Sequence, residues 1–351
     1  MKLTEKSLKR GLVLSVVIGA VSIFLVVALT KTNLDWTGLM RIRLTYLLLA
    51  VAFEVASWYA KTLKMQVLAG AMGGKISTGR MMNIFLSSCF ISQVTPATSG
   101  GIPFQMYMIY RQGVKFGHAV ALSVVDSFLT ILFYVLMVPL LLFIWRSWIG
   151  ISTGAIVLVL ALTILVCGFL LYLIFKPEVF GSLTIKIGRS RLFRALDRKG
   201  RLQGWSQRVT QEVRRYREAL SLLAQDKCSA LWWSFALTVI YWAASLAIAP
   251  SLLAGLNVKF ALVRVTVVQL LLNFIQPFFP TPGASGGAEL SFAFFFKDIV
   301  PKRLLGIYVL AWRLVSYYIS LVLGAFSIVY ALKHGWLERN KFALETKEEQ
   351  Q

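Results

Sequence analysis

"TPATSGG" (Thr95–Gly101) recurs as "TPGASGG" (Thr281–Gly287), identical at five of seven positions and displaced by 186 residues, from 95 to 281. Each copy lies inside strongly apolar sequence. Proline lacks a backbone donor and clashes with the preceding helical turn, while paired glycines admit left-handed backbone. A helix broken within a bilayer must find new partners for its freed backbone groups, and such breaks survive where they are buried in protein or line a wet cavity. Two matched breaks therefore predict one duplicated architecture with a cavity near both.

Working outward at the same displacement, the apolar run Thr45–Ala69 falls on Leu231–Gly255, and His118–Ile144 falls on Leu304–Tyr330. Helix, break and helix recur in register, giving a repeat A of about 45–144 and a repeat B of about 231–330. Apolar runs long enough to cross a bilayer occupy Gly11–Thr30, Leu44–Ala60, His118–Ile144, Gly154–Phe175, Ala230–Ala254 and Leu304–Leu332. The chain is 58% hydrophobic and 15% charged, with a mean hydropathy of +0.71. Soluble domains carry roughly 25% charge. The expected fold is an all-α polytopic membrane protein with about six spanning helices and two re-entrant or broken segments. Residues 1–332 form a single integral membrane domain in this reading, and 333–351 a polar tail. The first run follows Lys2, Lys6, Lys9 and Arg10, but it is longer than a signal-peptide core and is expected to stay as a helix.

The net charge of +22 reflects topology more than ligand. Between Lys176 and Lys227 thirteen Lys or Arg face five Asp or Glu, which places the basic loop 176–229 in the cytoplasm by the positive-inside rule. No aromatic-basic reading motif is present, so nucleic acid is not an expected partner. Counting crossings from a cytoplasmic amino terminus, with both breaks re-entrant, makes the two repeats inverted and puts both termini in the cytoplasm. A count with both segments fully spanning also satisfies the loop charge, provided another crossing is gained or lost. Inverted repeats with broken helices point to a transporter's binding site.

Thr95, Pro96, Ser99, Gly100, Gly101 and Gln105 in the first break, with Thr281, Pro282, Gly283, Ser285, Gly286, Gly287 and Glu289 in the second, form the candidate substrate site. Half-helices starting after each glycine pair would aim N–H groups at an anion. Asp126 and Arg313 lie at nearly equivalent depths in the related helices and are expected to pair across the repeats or to sense a moving charge. Glu54 reads as a weaker candidate, and His118 as an interfacial residue. Helical spacing of apolar residues in the basic loop fits either a helix lying along the leaflet or a solvated one. Cys89, Cys167 and Cys228 show no metal or redox spacing. No nucleotide-binding, HExxH or Asp-rich motif occurs, so no cofactor, metal or enzymatic activity is expected. Transport would be passive or gradient-coupled, with Glu289 and Asp126 the candidates for proton coupling.

"FISQVTPATSGGIPFQMYMIYRQGVKFGHAVALSVVDSF" and "FFPTPGASGGAELSF" resemble the flippase-like transmembrane domain of lysylphosphatidylglycerol synthases and its stand-alone relatives. The second stretch is similar to that family's Pro-Gly-x-x-Gly-x-x-Glu pattern at Pro282, Gly283, Gly286 and Glu289. The first departs from it: Gly101 and Phe104 stand where many members carry Glu and Arg. The resemblance implies a lipid flippase of the cell (inner) membrane that moves a polar-headgroup lipid, expected to be an anionic phospholipid, between leaflets. It also implies a chain without the aminoacyl-transferase domain. The alternatives are an intramembrane lipid-modifying enzyme and a non-transporting scaffold.

Overall fold

A computed structural model describes residues 42–149, 205–223 and 228–336, with isolated helical positions between 154 and 172. The runs Gly11–Thr30 and, for the most part, Gly154–Phe175 lie outside the described residues, as do much of the basic loop and the tail from 337 onward. Every regular element among the described residues is helical: α1 (Leu44–Ala71), α2 (Thr78–Val94), α3 (Gly101–Arg111), α4 (Phe116–Ile149), α5 (Trp205–Ser221), α6 (Cys228–Gly255), α7 (Leu262–Ile275), α8 (Gly287–Phe296), α9 (Lys302–Arg313) and α10 (Ile319–Lys333). A single 3₁₀ turn, Gln276–Phe278, follows α7, and a π-helical turn, Leu314–Tyr318, joins α9 to α10.

Three described helices are long and apolar enough to cross a membrane: Phe116–Leu141, Cys228–Gly255 and the continuous Lys302–Lys333. The chain is an all-helical membrane protein. Helix α1 has 28 residues, about 42 Å at 1.5 Å per residue. It interrupts its apolar run with Glu54, Lys61 and Lys64 and is not among those three.

The 186-residue displacement is visible in the helix boundaries. Helices α3 and α8 begin at Gly101 and Gly287, and α4 and α9 at Phe116 and Lys302. Helices α1 and α6 each have 28 residues and close with the same hydrogen-bond pattern. Gly74 N–H reaches Ala69 O at 2.8 Å and Val258 N–H reaches Leu253 O at 3.0 Å, the six-to-one bond of a Schellman end.

The described residues divide into two compact units. The first holds residues 42–63, 78–105 and 239–336. Its core centres on aromatic side chains: Phe292 of α8 stacks on Phe296 and on Trp312 of α9, at centroid distances of 4.3 and 4.2 Å. Tyr308 adjoins both phenylalanines and donates from its hydroxyl to Ala249 O at 3.3 Å. Helices α2 and α10 pack closely through Gly324, where an added Cβ would lie 2.5 Å from the carbonyl oxygen of Leu86. Gln93 Nε2 donates to Ser320 Oγ across the same contact at 2.7 Å.

The second unit holds residues 64–77 and 106–238, as far as they are described. Helix α5, from the basic loop, packs on α4. It buries Tyr216 and Ala219, followed by Leu223, while Arg214 faces outward. Glu212 fastens the contact by accepting from Gly117 N–H at 2.7 Å and pairing with Arg215 at 2.6 Å. The apolar residues that suggest a leaflet-lying helix, Leu192 to Val209, lie outside the residues whose side chains are described. His118, expected at the interface, is buried with Nδ1 3.1 Å from Met72 O.

Candidate functional site

The two heptapeptides fold alike and meet. In each, the residue pair after proline takes left-handed backbone: Ala97 and Thr98 at φ 51° and 52°, Gly283 and Ala284 at 59° and 54°. Ser99 N–H then reaches Pro96 O at 3.2 Å, and Ser285 N–H reaches Pro282 O at 3.1 Å. Two successive positive φ angles closed by that bond define a type I′ turn. Pro96 and Pro282 form an isolated antiparallel bridge, so both turns lie side by side within the first unit.

Several side chains expected to face a substrate serve the turns instead. Thr95 Oγ1 donates to Ile91 O at 2.7 Å and accepts from Gly100 N–H at 3.0 Å. Ser99 Oγ donates to Pro96 O at 2.8 Å, and Thr281 Oγ1 to Ser285 O at 2.6 Å. The closing glycines admit close packing: a Cβ at Gly101 would strike the Ser92 hydroxyl, and one at Gly287 the ring of Phe279. A larger side chain at position 101 would have to displace Ser92. Phe104 and Gln105 are buried in α3, and Gln105 is not part of the cavity wall described below.

The Pro-Gly-x-x-Gly-x-x-Glu pattern has a physical reason at each position. Gly283 and Gly286 both need positive φ, and Gly283 lies against the Tyr317 ring. Glu289, in the first turn of α8, accepts from Gly286 N–H at 2.7 Å and so caps the restarted helix. The same oxygen lies 2.9 Å from Arg313 Nη2, with both side chains almost wholly buried. Arg313 also sits over the rings of Trp312 and Tyr317, at 5.3 and 4.7 Å from their centroids.

The expected pairing of Asp126 with Arg313 is corrected by these contacts. Arg313 pairs with Glu289, and Asp126 pairs with Lys64 at 2.7 Å in the second unit, Lys64 being fully buried. A buried charge needs a close partner of opposite sign, and each has one within its own unit. Both candidates for proton coupling, Asp126 and Glu289, are therefore engaged in ion pairs. Lys64 reads in sequence as an end-of-helix cation and was not among the expected site residues.

A cavity of about 290 Å³ lies wholly within the first unit. Of the expected site residues, Gly283, Arg313 and the weaker candidate Glu54 line it, beside Thr98 and Ala284 from the turns. The rest of its wall comes from helix faces: Ser57 and Trp58 of α1; Phe85, Cys89 and Gln93 of α2; Gln269 and Asn273 of α7; Ser316 and Tyr317 of the π turn. Glu54 is buried and accepts from Trp58 Nε1 at 2.8 Å. A π-helical turn inside an α-helix often marks a functional site, and this one brings Ser316 and Tyr317 to the cavity. Among the described residues no cluster of His, Cys, Asp or Glu fit to hold a metal ion occurs.

The family described as "Lysylphosphatidylglycerol synthase TM region" matches residues 12–324. The chain belongs to this family. A curated relative, "UPF0104 membrane protein" of Archaeoglobus fulgidus, is 27% identical over 327 residues, covering 92% of this chain and 96% of the relative.

Proposed function

We propose that the protein is a lipid flippase, moving a polar-headgroup phospholipid between leaflets by passing the headgroup through the cavity while the acyl chains stay in the bilayer. The observation that carries this reading is a partly open cavity with polar side chains in its wall, set among apolar helices and flanked by two I′ turns that interrupt them. A headgroup crossing hydrocarbon needs such substitutes for water, since unsatisfied polar groups there cost several kcal/mol each, on the order of 2–7. The duplicated helix starts at 101/287 and 116/302 and the antiparallel meeting of the turns support an inverted repeat about the site. On this reading both chain ends lie in the cytoplasm, the protein resides in the cell (inner) membrane, the action is not enzymatic and no cofactor is used.

The test is lipid exchange in proteoliposomes with headgroup-labelled phospholipids and leaflet-selective quenching. An Asn273→Phe variant, which fills the cavity from α7 without touching turns or ion pairs, serves as control. Protein-dependent exchange that this variant abolishes supports the proposal. Exchange no faster than in protein-free liposomes across anionic and zwitterionic lipids refutes it.

A further inference from the structure

The cavity carries two opposed sets of unmet hydrogen-bonding groups. On one side stand donors: Arg313 Nε and the Tyr317 hydroxyl are buried without a hydrogen-bond partner among the described residues. The wall also holds Glu54, buried, whose carboxyl accepts only from Trp58 and has no cation within ion-pair distance among the described residues. The other buried carboxylates, Asp126 and Glu289, each have such a cation. Arg313 is ion-paired with Glu289, so it meets a ligand as a hydrogen-bond donor more than as a free charge.

Burial disfavours a carboxylate with no cation beside it; an arriving organic ammonium group supplies that cation and lets the acid ionise, its proton passing to water, and an acid among aromatic rings is the arrangement that receives such a group. Tyr241 lines the cavity too, but its ring already has Lys61 Nζ 5.9 Å from the centroid; the rings of Trp58 and Trp242 line it with Glu54. We propose that the cavity binds a compact zwitterionic group, its phosphate oxygens on Arg313 and Tyr317 and its ammonium on Glu54 against these rings. The volume, about 290 Å³, is at the lower edge of ligand pockets, which run from roughly 300 to 1,000 Å³, and so favours a small headgroup over an extended one. The inference rests on the headgroup reading above and replaces the expected anionic lipid with a phosphate-ammonium one.

The test uses purified full-length protein and calorimetric titration with phosphocholine, inorganic phosphate and tetramethylammonium. Glu54→Gln should weaken phosphocholine and tetramethylammonium by about tenfold while leaving phosphate unchanged. Tyr317→Phe, which keeps the ring, should weaken phosphocholine and phosphate alone, by about fivefold. Equal binding of phosphate and phosphocholine, both indifferent to Glu54→Gln, would overturn the ammonium site. So would absence of phosphocholine binding in a protein that still exchanges lipid. Nanodiscs separate the two sources of the group: if it belongs to a lipid, phosphatidylcholine in a phosphatidylglycerol background competes with free phosphocholine, and if the ligand is soluble it does not. Glu54-dependent phosphocholine binding by a protein that exchanges no lipid would keep this site and remove the flippase reading.

Discussion

Gly283 and Ala97 occupy the same position in the two turns, 186 residues apart, and exchanging their residue types should shift stability in opposite directions. At Gly283, φ is +59°, and an added Cβ would lie 2.5 Å from Tyr317 Oη and 2.6 Å from its Cε2. Left-handed backbone costs an L-residue about 1–2 kcal/mol, and overpacking a buried contact adds about 1–3 kcal/mol. Gly283→Ala should therefore destabilise by about 2–5 kcal/mol on those two terms. Ala97, at φ +51°, already bears the first of them. Ala97→Gly releases about 1–2 kcal/mol of strain against about 0.5–1 kcal/mol of added chain entropy, for a net gain of up to about 1.5 kcal/mol. Thermal unfolding of the purified protein, followed by intrinsic fluorescence, reads both variants. A lower midpoint for Gly283→Ala and an unchanged or higher one for Ala97→Gly is expected. Equal shifts of the same sign would refute the two-turn reasoning. Gly283→Ala should also weaken phosphocholine binding, because the added methyl displaces Tyr317.

Removing one member of a buried ion pair should cost about 3–5 kcal/mol, and removing both together should cost less. Glu289→Gln, compared with Glu289→Gln plus Arg313→Gln in a double-mutant cycle of unfolding midpoints, tests this for the capped helix. The same cycle with Lys64→Met and Asp126→Asn tests the second unit, and additive losses there would show that the pair is not coupled. Gly324→Ala should lower the unfolding midpoint, since the Leu86 carbonyl is backbone and cannot rotate away; losses of about 1–3 kcal/mol are expected.

Much of the fold was legible because apolar run length and proline-glycine breaks are one-dimensional signals. The displacement between "TPATSGG" and "TPGASGG" places the starts of α3 and α8 and of α4 and α9 without any three-dimensional information. The site was less legible. Conspicuous residues drew the substrate role, yet Thr95, Ser99, Thr281 and Glu289 are consumed by their own turns and caps. The cavity wall is spread over both turns and five helical segments, and polar residues at helical spacing carry much of it. Gln269, Asn273 and Gln276 stand at i, i+4 and i+7 on the face of α7 and its 3₁₀ extension, and Phe85, Cys89 and Gln93 follow every fourth position of α2. That spacing was available in the sequence. The partners of Asp126 and Arg313 were not: depth along a helix fixes height, while which cation reaches which carboxylate depends on lateral packing.

The bridge between Pro96 and Pro282 joins the two turns at one residue pair. Helix α2 leads into one turn and α8 leads out of the other, so the end of one helix and the start of the other share a single anchor. Because Gly283 and Thr98 belong both to the turns and to the cavity wall, the duplicated sequence sets the shape of that space through its backbone, with its side chains left to hold the turns.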